Sequence, residues 1–163
     1  MTMSKKTWKL VLAGALVAGA SGAVALRVAW ATPPQGLTST PLVGPVMFDE
    51  IQTVHQTPDW GVMIKTRGLS DVYVTHLKIV PGGHGGWHSH PGPSVIAVKA
   101  GTATFYDDCD RALTPHVYPA GTGFVEDAGC VHILVNEGNI DLEVVVVQLV
   151  PSGAPRRIDE PAP

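Results

Sequence analysis

Beyond residue 31, the sequence lacks any long segment in which hydrophobic residues recur at the helical period of 3.6 between capping residues. It also lacks internal repeats, and charged residues make up only 15% of the chain. These absences argue against a helical or repeat architecture. Glycine (18) and proline (14) are plentiful among the 163 residues, which favours one turn-rich β domain.

Acidic residues are absent from residues 1–31, which carry four basic residues. The remaining 132 residues hold seven basic and fourteen acidic residues, a net charge of −7 with histidine neutral. An acidic body has no electrostatic footprint for a phosphate backbone. The composition therefore argues against nucleic acid as a partner.

The first residues have the pattern of an export signal. A positive flank precedes the apolar run LVLAGALVAGASGAVAL, and Ala29 and Ala31 give a small-x-small cleavage site. We predict a signal peptide over 1–31, or alternatively an uncleaved N-terminal anchor that contacts a membrane only through 10–30. There is no twin-arginine motif. Both alternatives predict an extracytoplasmic domain, either secreted or in the cell envelope.

Short apolar runs bounded by glycine, proline, aspartate or asparagine follow from residue 45 onward. Seven or more such runs predict an all-β barrel or sandwich over 45–151. The strongest strand is 141–150, whose four consecutive valines predict burial on both faces. The flanks are interpreted as a linker or lead-in strand at 32–44 and a polar tail at 152–163.

Three histidines have the pattern of a metal site. His88 and His90 are separated by one residue, so on a strand they point to the same face. Glycines just before them allow a tight turn. Imidazole is the commonest protein ligand for transition metals, and His132 on a later strand could supply a third one.

The residues around the first two histidines resemble the first motif of the cupin family. That motif runs Gly, five residues, His-x-His, three or four residues, Glu, six residues, Gly. This sequence has Gly82, His88, His90, Ser94 and Gly101 at those positions. The spacing matches, but serine stands where the family has glutamate.

The residues around the third histidine resemble the second cupin motif, which runs Gly, five residues, Pro-x-Gly, two residues, His, three residues, Asn. The matching positions here are Gly121, Asp127, Gly129, His132 and Asn136, with aspartate in place of proline. The chain is thus identified as a member of the cupin superfamily. The resemblance implies a small jelly-roll barrel over 45–151 that encloses a small-molecule pocket, and pairing into a homodimer.

The resemblance implies that His88, His90 and His132 bind one divalent transition metal ion: iron, zinc, manganese or copper. Because Ser94 replaces the usual glutamate, we expect a neutral three-histidine face, and Ser94→Glu is predicted to tighten binding. The principal hypothesis is an exported metal-binding protein. The alternative is a mononuclear non-haem iron dioxygenase that acts on a small chelating substrate. No residue qualifies from sequence as catalytic acid, base or substrate clamp.

The neighbouring residues leave several alternatives open. Cys109 and Cys130 can form a disulfide or stay free, and Cys130 shares the parity of His132 and could be a ligand. Glu126 could be a general base, but a solvated turn is the preferred interpretation. His84 is interpreted as a loop residue rather than a fourth ligand.

Overall fold

The structure is a computed structural model, and it describes residues 31–163. The predicted export signal at 1–31 lies outside the described residues except for Ala31. Residues 31–163 contain no membrane-spanning helix.

The described chain is built from strands and turns, which confirms the all-β prediction. The strands in chain order are β1 (Gln35–Phe48), β2 (Gln52–Gln56), β3 (Gly61–Lys65), β4 (Ser70–His84), β5 (His88–Ser89), β6 (Ser94–Ala100), β7 (Thr102–Asp107), β8 (His116–Pro119), β9 (Gly123–Glu126), β10 (His132–Val135), β11 (Leu142–Pro151) and β12 (Ile158–Asp159).

Ten strands form one sheet that curls into a nearly closed jelly-roll barrel, as predicted. Its main path runs β12-β5-β10-β4-β11-β6-β9, with β1 paired to β4, and β7 paired to both β10 and β8. Strands β2 and β3 form a separate two-stranded hairpin.

The barrel core is formed by side chains that alternate along the strands. In β11, Leu142, Val144 and Val146 are buried, whereas Val147 is 41% exposed. The prediction that β11 is buried on both faces is therefore wrong. The barrel wall has one inner face and one outer face, and the outward residues of β11 are half-buried or exposed.

Both flanking segments belong to the fold. Residues 35–44, within the segment interpreted as a linker or lead-in strand, are part of β1 and pair with β4. The tail at 152–163 returns to the barrel, where Ile158 pairs with Ser89 and Asp159 with His88. These pairings depend on partners far away in sequence, so local composition did not reveal them.

Candidate metal centre

The structure brings the three predicted histidines together inside the barrel. His88 lies on the short strand β5, His90 follows it, and His132 begins β10 directly opposite His88. One nitrogen from each ring lies within 4.8 Å of the others, and all three side chains are buried. Converging imidazoles at this spacing can contact a single ion.

Backbone carbonyl groups fix the orientation of each ring. His88 Nδ1 lies 2.8 Å from the Gly86 oxygen, His132 Nδ1 lies 2.9 Å from the Cys130 oxygen, and His90 Nδ1 lies 2.6 Å from the Arg156 oxygen. A carbonyl oxygen only accepts hydrogen bonds, so Nδ1 of His88 and Nδ1 of His132 must each carry the proton and donate, which leaves their Nε2 lone pairs free for a metal. His90 Nδ1 also lies 2.8 Å from the donor Gln148 Nε2, so the contacts of this ring do not fix one tautomer.

The glycine-rich turn is what allows one of these contacts. Gly86 has a φ of 71°, a left-handed conformation that glycine adopts at little cost. A Cβ on Gly86 would lie 2.1 Å from the backbone oxygen of Thr32. Only glycine therefore fits where the turn presents its carbonyl group to His88.

The environment of His88 and His132 favours their neutral forms. Burial, with a smaller effect from the nearby charges of His132 and Arg157, lowers the pKa of His88 to about 3. Burial also lowers the pKa of His132, whose Nε2 is buried and has no hydrogen-bond partner among the described residues. An unpaired buried acceptor is costly, and a metal ion would satisfy it.

Glu126 does not lie in a solvated turn, which corrects the preferred sequence interpretation. It ends β9 with only 4% of its surface exposed, and its carboxylate reaches the histidine cluster. Glu126 Oε2 lies 3.3 Å from His90 Nε2, and Oε1 lies 3.6 Å from His132 Nε2. Burial alone raises the pKa of Glu126, but contact with His90 and the charges of the histidines bring it below its ordinary value.

Ser94 faces the same interior. It is fully buried on β6 and pairs directly with Glu126 of β9. Its hydroxyl oxygen lies 3.4 Å from the amide nitrogen of Gln148, which also donates to the Arg156 oxygen at 2.9 Å. Gln148 thus connects the motif-1 serine to the carbonyl group that orients His90.

The remaining motif positions and their neighbours have structural roles. Asn136 is fully buried, and its amide nitrogen donates to the Ile79 and Ile140 oxygens at 2.8 Å. Cys109 and Cys130 form a disulfide, so Cys130 offers no thiolate ligand. His84 Nδ1 accepts a hydrogen bond from the Gly86 nitrogen at 3.1 Å.

A cavity of about 240 Å³ adjoins the histidines. His88, His90 and Glu126 are among its polar lining residues. Its walls are mainly apolar, with side chains from β1, β4, β6, β10 and β11: Leu37, Leu77, Ile96, Leu134 and Val146. A cavity with mainly apolar surface and several polar side chains in its lining is typical of small-molecule sites.

Two residues that sequence reasoning assigned only to the polar tail also line this cavity, Arg156 and Arg157. In the sequence, the one signal of a role in a binding site was that these two positive charges are adjacent. The pairing of β12 with β5, which brings them to the histidines, has no local sequence signature.

Comparisons with known proteins agree with this architecture. Residues 75–148 match the family model described as "Cupin domain". The polyketide cyclase RemF from Streptomyces resistomycificus has a similar structure, with a TM-score of 0.55, 15% identity, and coverage of 83% of this chain and 82% of that one. At this identity the similarity concerns the fold alone.

Two other structures give lower scores. A cupin superfamily protein from Desulfitobacterium hafniense has a TM-score of 0.48 and 11% identity, covering 70% of this chain and 77% of that one. A conserved protein of unknown function from Streptococcus pyogenes has a TM-score of 0.49 and 20% identity, covering 72% and 76%. No curated protein matches the sequence significantly.

Proposed function

Because residues 75–148 match the family model of the cupin domain, we propose that this protein binds one divalent transition metal ion through His88, His90 and His132. One observation carries the proposal: a ring nitrogen from each of the three buried histidines lies within 4.8 Å of the others. Backbone carbonyl groups also hold His88 and His132 in the tautomer that leaves Nε2 free for a metal.

We add Glu126 as a fourth ligand. Its carboxylate is buried beside two of the three Nε2 atoms, and it has no positively charged arginine or lysine as a salt-bridge partner among the described residues. A buried carboxylate is stabilised by a cation. Three nitrogens and one oxygen suit iron, zinc, manganese or copper, and do not discriminate strongly among them.

A bound ion would supply Lewis-acid chemistry beside the cavity. The chain's own residues would orient the small molecule there, and the apolar walls would exclude water. The iron dioxygenase alternative is favoured by this room beside the ligands. The sequence-based argument for a dioxygenase is a neutral three-histidine face. Glu126 weakens this argument because it adds a negative charge.

We also propose that the domain works outside the cytoplasm. The Cys109–Cys130 disulfide supports this location, because disulfides persist in oxidising compartments and are rare in the cytosol. Cell fractionation with an antibody, together with thiol labelling of the recovered protein, tests the location. Recovery of a cytoplasmic protein with reduced thiols would contradict it.

Metal analysis of the full chain, purified without a metal-binding tag, tests the principal proposal. We expect one transition metal ion per chain in the wild type. His132→Ala and His88→Ala should lose stoichiometric metal while keeping a β-type circular dichroism spectrum. Oxygen uptake by iron-loaded protein with diketones, thiols and phenolic acids then tests the dioxygenase alternative.

The matched control is His55→Ala, because His55 lies exposed on the β2–β3 hairpin and outside the cluster. It should bind as much metal as the wild type. A His132→Ala variant with unchanged metal content would refute the three-histidine centre.

A further inference from the structure

The C-terminal arm, residues 152–163, closes one side of the metal centre. Its strand β12 pairs with β5, and the Glu160 nitrogen donates to the Trp87 oxygen at 3.0 Å. The Ser89 hydroxyl donates to Glu160 Oε1 at 3.1 Å. These contacts hold the arm beside His88, so the arm's side chains form part of the cavity.

Arg156 anchors the arm with a positive charge that has no acidic partner. Its guanidinium donates to Gln148 Oε1 at 3.1 Å and to Thr75 Oγ1 at 2.8 Å, and lies 4.4 Å from the centre of the Tyr73 ring. All three partners are neutral, and no carboxylate among residues 31–163 forms an ion pair with Arg156. A partly buried cation without a counterion favours an anion nearby.

Arg157 has a donor left over. Its Nε donates to Asp159 Oδ1, but its Nη2 is buried and has no hydrogen-bond partner among the described residues. The same side chain lines the cavity. Buried guanidinium N–H groups normally find an acceptor, so an acceptor from a ligand is expected here.

The cavity restricts what that ligand can be. At about 240 Å³ it lies below the range of about 300–1,000 Å³ that is typical of sites for drug-sized molecules. Leu37, Leu77 and Val146 give it apolar walls. An anion that is polar all over would leave its oxygens against these walls, whereas a molecule with one charged end would fit both environments.

We propose that the cavity binds a small monocarboxylic acid with an apolar body, whose carboxylate accepts a hydrogen bond from the Arg157 guanidinium. The apolar body packs against the leucine and valine walls, and the carboxylate lies at the end where the histidines are. The inference depends on the proposed function only in placing a metal ion beside this carboxylate. Binding of the acid by Arg157 and the apolar walls does not require the metal.

Isothermal titration of the full chain with four probes tests the inference. Benzoate and 3-methylbutanoate carry the carboxylate, while benzamide and 3-methylbutanamide have the same shapes without the charge. We expect at least one acid to bind about tenfold or more tightly than its amide, because hydrogen bonds to charged groups are the stronger ones. Equal affinities in both pairs, or no binding of either acid, would overturn the proposal.

Variants identify the residue responsible. Arg157→Gln should reduce the preference for acid over amide to near unity, and Arg157→Lys should keep part of it. The matched control is Arg67→Gln, because Arg67 lies exposed in the turn before β4 and away from the cavity lining. A preference for the acids that survives Arg157→Gln would also overturn the proposal.

Titrations in the presence and absence of zinc separate this inference from the proposed function. Acid binding that depends on Arg157 in protein that takes up no metal would support the arm and refute the metal centre. Stoichiometric zinc binding without any preference for the acids would support the metal centre and refute the proposed acid site.

Discussion

Ser94 and Glu126 occupy directly paired positions on strands β6 and β9, and both side chains are buried at the histidine cluster. Residues opposite each other in an antiparallel pair share a face, with Cβ atoms about 4.5–5.5 Å apart. The cupin pattern has glutamate at position 94, but here the carboxylate comes from the facing strand. The pair of positions 94 and 126 therefore still supplies one carboxylate, but from position 126 instead of position 94.

This relationship predicts that the two positions are interchangeable. Glu126→Gln should weaken metal binding by about 10- to 100-fold, a range that even outer-shell partners of metal ligands reach. The double variant Ser94→Glu/Glu126→Ser should recover most of the lost affinity, because it returns one carboxylate to the same face. Competition with a coloured zinc chelator measures each affinity.

The single variant Ser94→Glu is the matched control for this exchange. From sequence alone, an added glutamate is expected to tighten binding. With Glu126 already present, two carboxylates would share one buried site, and their repulsion opposes any gain. A double variant no better than Glu126→Gln would show that Glu126 is not a ligand.

The sequence was sufficient to predict the histidine site because local patterns encode it. The one-residue gap between His88 and His90 places them on one face of any strand, and the glycines mark the turn before them. The resemblance to the two cupin motifs then brought His132 to the same site. Strand pairing in the structure agrees with each of these steps.

Glu126 and Arg157 were missed because their roles depend on pairing between distant segments. Glu126 stands in a stretch whose glycines and aspartate are typical of an exposed turn, and only the β6–β9 register buries it. Arg157 stands in a polar, proline-rich tail, and only the β5–β12 pairing brings it to the cavity. A missing motif glutamate together with a nearby unassigned one was a signal that could have identified Glu126.

The Cys109–Cys130 disulfide is predicted to stabilise the barrel without binding metal. It closes a loop with a sequence separation of 21, and the carbonyl group of Cys130 orients His132. Replacing both cysteines with serine should lower the free energy of unfolding by about 3 kcal/mol, as expected for a loop of this length. Metal stoichiometry should stay at one per chain, because no thiolate ligand is removed.

Urea unfolding and metal analysis of the Cys109→Ser/Cys130→Ser protein check both parts. A loss of bound metal from a protein that is still folded would show that sulfur contributes to the centre. Unchanged stability would mean that the disulfide does not restrict the unfolded chain in the way the loop length implies.

The lowered pKa of His88 predicts that the metal-free protein loses stability in mild acid. The pKa is about 3 in the folded state, chiefly because of burial, and its ordinary value is 6.5. Between these values the unfolded chain binds a proton that the folded protein does not, so the free energy of unfolding falls as the pH falls. From pH 7 to pH 5 the loss from His88 alone is about 2 kcal/mol.

The other groups facing His88 allow this contribution to be separated. The pKa of His132 is also lowered, so it adds to the loss in the same direction. The pKa of Glu126 lies below its ordinary value of 4.5, so protonation of this carboxylate destabilises the protein only at still lower pH.

Urea unfolding of the chelator-treated full chain at pH 7 and pH 5 therefore reports on the histidines. His88→Asn should reduce the drop, and the exposed control His55→Asn should keep it. Equal stability at both pH values would mean that the metal-free cluster admits water and that the rings are not held neutral for an ion.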